Sequence, residues 1–190
     1  MLTNTEIEGL AAKMNIPLGH VGFKDELSAK HLKPNKYYII NLEDSQCKDS
    51  KEMNQGSHWT GFEVRENHNG HKEGLYFDSY GFPPPEYIKK IVKQKFGISL
   101  WYPTKDIQSI VNNACGFYQL ALAHLLHDRR MANGSLKQVT QEFLSLFEDL
   151  NESNDYKKNE FILKHFFQAT NPELRKQKEI PIPEIISSGN

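Results

Sequence analysis

Residues 112–126, NNACGFYQLALAHLL, form the segment that decides the fold. Over residues 117–126 only Gln119 and His124 are polar, so the pattern predicts a helix that is apolar on nearly every side. Such a helix belongs in a protein interior. Its first turn holds Cys115, and a glycine follows directly. A thiol at the start of a buried helix therefore needs an explanation.

Shorter patterns around this helix predict strands in the middle of the chain and helices at both ends. The predicted strands are rich in β-branched and aromatic residues; they are KYYIINL (36–42), HWTGFEV (58–64), LYFDSYG (75–81) and the short ISLWY (98–102). The other predicted helices are one capped by Thr3 or Asn4, and segments 83–97, 136–150 and 156–168. This arrangement predicts an α+β fold with a central mixed sheet packed against helices.

Length and composition indicate one domain. A chain of 190 residues can bury a real core, and we expect a single domain over 1–190 with a C-terminal arm over 171–190. The formal net charge of −1 gives no general argument for nucleic acid. No apolar stretch is long enough to span a membrane, and the N-terminus lacks the features of a signal peptide. Two cysteines make no disulfide framework, which favours a reducing compartment, the cytosol or nucleus.

Cys115 lies where a helix N-terminus favours a thiolate. Asn112 or Asn113 is expected to cap the helix, which places Cys115 in the first turn. Free N–H groups and the helix dipole lower the pKa of a thiol at that position. Taken alone, a small buried hydrophobic residue is the commoner explanation for a free cysteine. Cys47 lies in a polar loop without such an environment.

Three polar residues would complete a catalytic group around Cys115. His58 opens a predicted strand and can reach a site at the sheet edge. Asp78 lies between aromatic residues in a strand pattern, where Asp is rare. Gln108, seven residues before the cysteine, can aim an amide N–H at an oxyanion. Each has an ordinary alternative, but together they supply the nucleophile, base, orienting group and oxyanion donor of acyl transfer.

Strand register is an obstacle to a contact between His58 and Asp78. A tight turn at Asn69 and Gly70 would place His58 opposite Gly81. A longer loop or a bulge would have to shift the pairing by about three residues for the contact to form.

The strings GSHWTGFEV, LYFDSYGFPP and QSIVNNACGFYQLALAHLL, in this order, resemble the adenovirus-type maturation proteases. These are cysteine peptidases more distantly related to SUMO- and ubiquitin-like-protein peptidases. The matching positions are His58-Trp59, Asp78, Gln108 and Ala114-Cys115-Gly116. The similarity is specific over residues 58–126 and looser over the N-terminal part. Similar proteases occur in virophages and in maverick/polinton-like elements.

The resemblance implies a papain-like active site with a permuted chain order. In that site Cys115 attacks the scissile carbonyl, and His58 pairs with it and protonates the leaving amine. Asp78 orients His58. Gln108 and the backbone N–H of Cys115 hold the oxyanion.

The same resemblance implies substrates and a place of action. Trp59 would border the substrate groove, and Gly116 would keep the cleft beside the thiol open. The substrates would be capsid and core precursors, cut at small or glycine-containing sites during maturation. The protease would act in the virion, or at assembly sites in the host cytoplasm or nucleus.

Two departures from the family concern its activators. Family members bind a peptide through a second cysteine downstream of the acid, but no cysteine lies between Asp78 and Cys115, so disulfide-linked activation is not expected. They also use DNA, for which this chain offers weak support: a lysine patch that a solvated helix face explains better, namely Lys89, Lys90, Lys93 and Lys95. We expect no cofactor, and no metal at His68 and His71, which suit a solvated turn.

Two other functions remain open. One is a peptidase for ubiquitin-like modifiers, which would cut after the Gly-Gly tail of a folded modifier instead of an extended precursor segment. The other is a non-catalytic scaffold of the same fold, against which the presence of the whole catalytic group argues.

Overall fold

A four-stranded mixed sheet lies at the centre of the computed structural model, which describes residues 1–46, 56–110, 112–128, 134–150 and 155–170. The strands are β1 (Leu18–Phe23), β2 (Tyr37–Asn41), β3 (Trp59–Glu66) and β4 (Lys72–Phe77). They lie side by side in that order. β1 runs parallel to β2, whereas the β2–β3 and β3–β4 pairs are antiparallel. The predicted α+β class with a central mixed sheet is confirmed.

Five helices accompany the sheet within the described ranges. They are α1 (Asn4–Lys13), α2 (Glu86–Phe96), α3 (Cys115–His127), α4 (Leu136–Ser145) and α5 (Asp155–Thr170). Thr3 caps α1 through a capping box: its hydroxyl accepts the Glu6 N–H, and the Glu6 carboxylate accepts the Thr3 N–H. α2 ends at Gly97, whose φ of 75° is left-handed, as the glycine predicts.

The sheet separates two apolar layers because alternate side chains of each strand point to opposite faces. On one face Trp59, Leu75 and Phe77 pack with α1, α3, α4 and α5. On the other face α2 covers Phe62 and Tyr76 in a smaller cluster. α3 therefore lies in the interior between the sheet and the other helices, as its apolar pattern predicts.

Gln119 fixes the depth at which α3 packs against the sheet. Its side chain is fully buried, and its amide donates to the carbonyls of Trp59 (3.2 Å) and Phe77 (3.4 Å). Its carbonyl accepts the Tyr37 hydroxyl at 2.8 Å. A Cβ on Gly61 would collide with this same carbonyl oxygen, so β3 needs a glycine there. The one amide within the buried helix is thus satisfied by three strands.

Some predicted elements differ from those observed. β1 was outside the strand predictions because its sequence, LGHVGF, contains two glycines, which are uncommon in strands. β4 ends at Phe77, and residues 98–102 form only a single bridge, between Trp101 and Leu75. The helix predicted over 136–150 ends at Ser145. The predicted arm over 171–190 lies outside the described residues, as does Cys47.

Candidate active site

His58 and Asp78 meet where the β3–β4 pair ends. His58 directly precedes β3, and Asp78 directly follows β4. The ring atom Nε2 of His58 lies 2.9 Å from Oδ1 of Asp78. Both residues are buried, with exposed fractions of 9% and 1%. A histidine–carboxylate pair shielded in this way is a strong electrostatic contact.

The pair forms in a register only one residue away from the one that a tight turn predicts. Gly61 pairs with Phe77, and the same register continued outward would place His58 opposite Tyr80. Asp78 is then the diagonal neighbour of His58, two residues from the directly opposite position, within reach of a long side chain. The expectation that a shift of about three residues is needed was therefore wrong.

Asp78 also organises the turn that follows β4. Its Oδ1 accepts the backbone N–H of Tyr80 at 2.8 Å, and its carbonyl accepts the N–H of Gly81 at 2.9 Å. Because the Asp78 carboxylate only accepts hydrogen bonds, Nε2 of His58 is the donor in the contact between these two side chains. The other ring nitrogen, Nδ1, is then left for exchange of a proton with the thiol.

Cys115 is the first residue of α3. The N-cap residue is Ala114, not either asparagine, so the predicted cap was wrong while the predicted first-turn position of the thiol is confirmed. Asn112 contributes differently: its side-chain oxygen accepts the Ala114 N–H at 3.2 Å. Sγ of Cys115 accepts the backbone N–H of Trp59 at 3.5 Å, and the residue is only 1% exposed. Trp59, which follows His58 and begins β3, thus contacts the thiol directly.

The surroundings of His58 favour its imidazolium form. Burial alone would lower the pKa of His58, but its hydrogen bond to Asp78, its contact with Cys115 and the charges of both raise the pKa from 6.5 to about 9. Nδ1 is buried and makes no hydrogen bond of normal geometry among the described residues, so the contact with Cys115 is a loose one. Such contacts commonly tighten only when substrate binds.

This pKa predicts how stability depends on pH. A histidine whose pKa is higher in the folded than in the unfolded state stabilises the fold fully below its unfolded pKa of about 6.5, and the contribution disappears as pH rises through about 9. We expect the free energy of unfolding of the wild type to fall across this interval. In a His58→Gln variant the fall should be smaller, as measured by urea unfolding at each pH. Parallel pH profiles for the two proteins would contradict the raised pKa.

Gln108 is held in one orientation by its neighbours. It is fully buried, and the hydroxyl of Ser79 donates to its Oε1 at 2.6 Å. The carbonyl of Asn112 can only accept, so Nε2 is the amide atom that faces it, at 3.2 Å; Nε2 also lies 3.5 Å from the hydroxyl oxygen of Tyr80. The longer of these two contacts is the weaker, so that hydrogen is the easier to redirect.

Tyr80 and Ser79 are site residues that the sequence interpretation did not single out. The Tyr80 ring stacks on His58 with 4.3 Å between ring centroids and 16° between planes, a contact that favours the imidazolium. Burial, followed by the nearby charges of Cys115 and Asp78, raises the pKa of Tyr80 to about 12. Its phenol therefore stays neutral near physiological pH. The signal available in the sequence was the turn string DSYG that starts at Asp78.

Trp59 and Gly116 contact the N-terminal segment. The indole N–H of Trp59 donates to the carbonyl of Leu2 at 2.8 Å, and Trp59 is 2% exposed. A Cβ on Gly116 would lie 3.3 Å from Leu2 and 3.4 Å from Ile7. The space beside Gly116 is thus used for helix packing, which differs from the expected open cleft. Contact of either residue with substrate stays a prediction.

The remaining charged candidates lie on the surface. His68 and His71 are exposed in the β3–β4 turn, and no cluster of three or more metal-ligating side chains occurs in the part of the chain that the structure describes. The four lysines of the predicted patch are exposed, with Lys89 paired to Glu86. This is the arrangement of a solvated helix face, and binding of DNA stays a prediction.

Comparison with known proteins returned no match, either to a family model or to a curated protein. Across the described ranges, no helix combines the length and the apolar character needed to cross a membrane. Any inference about function therefore depends on the geometry of the site and on the sequence strings that surround it.

Proposed function

We propose that the protein is a cysteine endopeptidase with a papain-like site of permuted chain order. The observation that carries this proposal is the position of His58. One ring nitrogen contacts buried Asp78 at 2.9 Å, and the same ring interacts with Cys115 at the start of α3. A thiol, an imidazole and a carboxylate in this sequence of contacts are the parts of an activated nucleophile.

The chemistry assigns a role to each group. The proton of the Cys115 thiol passes to Nδ1 of His58, and the sulfur attacks the scissile carbonyl carbon, whose π electrons move to the oxygen. When the tetrahedral intermediate collapses, the C–N bond breaks and His58 gives its proton to the amine. Water then attacks the thioester with His58 as base, which releases the acid and restores the thiol. Asp78 keeps the ring oriented throughout.

Gln108 is the proposed side-chain donor to the oxyanion. The acceptor-only carbonyl of Asn112 sets the orientation of its amide, with Nε2 toward Asn112 and Tyr80 and Oε1 toward the Ser79 hydroxyl. The N–H that donates to Tyr80, with Nε2 3.5 Å from the hydroxyl oxygen, can redirect its hydrogen bond to a stronger acceptor. The bond to Asn112 holds the nitrogen in place. The N–H of Cys115, in the first turn of α3, is the second donor, since first-turn N–H groups have no acceptor within their own helix.

The narrow access to the thiol favours an extended substrate with small side chains. Cys115 is 1% exposed and His58 9% exposed, so little room exists beside the scissile bond. Together with the sequence resemblance, this supports a viral maturation protease that cuts capsid and core precursors at small or glycine-containing sites. Its proposed places of action are the virion and assembly sites in the host cytoplasm or nucleus.

Incubation with capsid precursor proteins encoded beside this chain tests the proposal. We expect cuts within extended precursor segments, identified by mass spectrometry of the fragments, and none when the thiol has been alkylated. A second incubation uses a folded ubiquitin-like protein that carries additional residues after its Gly-Gly tail. Cleavage only in that incubation would identify a modifier peptidase. No cleavage in either incubation, with Cys115 unreactive to a limiting haloacetamide, would favour the non-catalytic scaffold.

A further inference from the structure

The segment that carries Gln108 is anchored by α5, a helix that the proposed reaction does not involve. Asn159 of α5 is fully buried, and its amide donates to the carbonyl of Ile107 at 3.1 Å. The same side chain donates to the carbonyl of Glu148 at 2.9 Å and accepts the Glu148 N–H at 2.8 Å. α5 therefore holds the residue that directly precedes Gln108.

The next residue of α5 holds the other end of the segment. Glu160 is 2% exposed, and its Oε1 accepts a hydrogen bond from the side-chain amide of Asn112. Asn112 is in turn connected to the site at two points. Its carbonyl accepts Nε2 of Gln108 at 3.2 Å, and its side-chain oxygen accepts the Ala114 N–H at 3.2 Å. One carboxylate thus acts, through one asparagine, on both the oxyanion donor and the start of α3.

A buried carboxylate is a costly way to pack a helix. Oε2 of Glu160 is buried and has no hydrogen-bond partner among the described residues, although an apolar side chain would fill the same position without that cost. Burial raises the pKa of Glu160 to about 7, against the lowering effects of Asn112 and of Lys157. The cost of burying this carboxylate is explained if its hydrogen bond to Asn112 has a function.

We propose that Glu160 is a positioning residue for the side-chain amide of Gln108, acting through Asn112. The inference rests on the proposed role of Gln108 as an oxyanion donor. During reaction Nε2 keeps both hydrogens, but one N–H redirects its hydrogen bond from Tyr80 to the oxyanion. The bond to Asn112 then holds the nitrogen, while Ser79 holds the oxygen of the same amide. The backbone N–H of Asn112 donates to Ser109 and its side-chain oxygen accepts from Ala114, and the bond from its side-chain amide to Glu160 adds the contact that ties it to α5. Glu160 touches no reacting atom.

Two substitutions at Glu160 separate positioning from packing. Glu160→Ala removes the acceptor and should lower kcat for peptide cleavage about ten- to a hundredfold, the order of effect of a displaced catalytic group. KM and the rate of haloacetamide alkylation of Cys115 should stay near those of the wild type. Glu160→Gln keeps an oxygen for Asn112 and should restore most of kcat. Ile162→Ala, an apolar truncation on the same helix, is the matched control and should leave kcat unchanged.

A double variant distinguishes failure of this inference from failure of the proposed function. If Glu160 acts only through the amide, adding Glu160→Ala to Gln108→Ala should cause no further loss of kcat. Full activity of Glu160→Ala beside an impaired Gln108→Ala would overturn the positioning role and leave the proposed function intact. Full activity of Gln108→Ala would overturn the oxyanion assignment instead.

A measurement without turnover completes the test. The side-chain amide signals of Gln108 in nitrogen-15 NMR should shift with pH in the wild type with a midpoint near 7, the pKa of Glu160, and should not do so in Glu160→Gln. Besides its partner Asn112, Glu160 interacts with two titratable groups of the described structure: Lys157 on α5, and Tyr118 on α3, whose pKa burial raises well above 10. Identical titration in both proteins would overturn the inference even if no peptide were cleaved.

Discussion

A Cys115→Ala variant should cleave no peptide bond above background while keeping its fold. The proposed thioester needs the sulfur, and loss of the nucleophile from a comparable triad lowers kcat by about a millionfold. Digestion of a precursor peptide, followed by mass spectrometry, measures the effect. Cys47→Ala is the matched control, because it removes the other cysteine of the chain and should cleave like the wild type.

The fold should lose little stability in this variant. Removal of Sγ leaves the backbone N–H of Trp59 without the acceptor that it has at 3.5 Å. An unsatisfied buried donor of this kind costs about 1–3 kcal/mol, at the low end here because the contact is long. Cys115→Ser returns an acceptor and should unfold at a higher denaturant concentration than Cys115→Ala. Cleavage by a homogeneous Cys115→Ala preparation would place the nucleophile elsewhere.

Gln108→Ala should lower kcat by about a hundred- to a thousandfold, equivalent to roughly 2.7–4 kcal/mol, the usual loss for one oxyanion donor. Alkylation of Cys115 by a haloacetamide should proceed at nearly the wild-type rate, because that displacement develops no carbonyl oxyanion. Gln108→Glu should be at least as harmful, since a carboxylate would face the developing negative charge. The two rates, cleavage and alkylation, are measured on the same preparations.

The buried contacts of Gln108 require a stability control in this experiment. In Gln108→Ala the Ser79 hydroxyl and the Asn112 carbonyl both lose a partner, so a lower free energy of unfolding is expected. Ile162→Ala, which shortens an apolar side chain packed against the core outside the site, shows what lost stability alone does to kcat. Cleavage by Gln108→Ala within a few-fold of the wild type, or a parallel loss of alkylation and cleavage, would contradict the oxyanion assignment.

The local patterns of the chain predicted most of the fold. α3 was predictable because it is apolar on nearly every side, β2 because its aromatic and β-branched residues are continuous, and β3 because such residues recur along it. β1 could not be predicted in the same way. Its glycines weaken the strand pattern, and its position depends on parallel pairing with β2, which no short string encodes.

The residues of the candidate site could likewise be predicted only in part. His58, Asp78 and Cys115 stand in recognisable strings, so they could be proposed before their contacts were known. The groups that orient them could not. The hydrogen bond of Ser79 to Gln108 joins loops 29 residues apart, and that of Asn112 to Glu160 spans 48 residues. Contacts made by loop residues follow no periodicity, and even the His58–Asp78 contact was misjudged from an assumed turn.

The long-range contacts of the Trp59 backbone determine when, during synthesis of the chain, the candidate site can assemble. Its N–H contacts Cys115, 56 residues later, and its carbonyl accepts the amide of Gln119, 60 residues later. A chain still emerging from the ribosome therefore has no assembled thiol–imidazole pair until α3 has left the exit tunnel and packed on β3. The anchoring residue Glu160 of α5 emerges 33 residues after His127, the last residue of α3. Under the proposed function, cleavage activity would therefore be acquired only late in the synthesis of the chain.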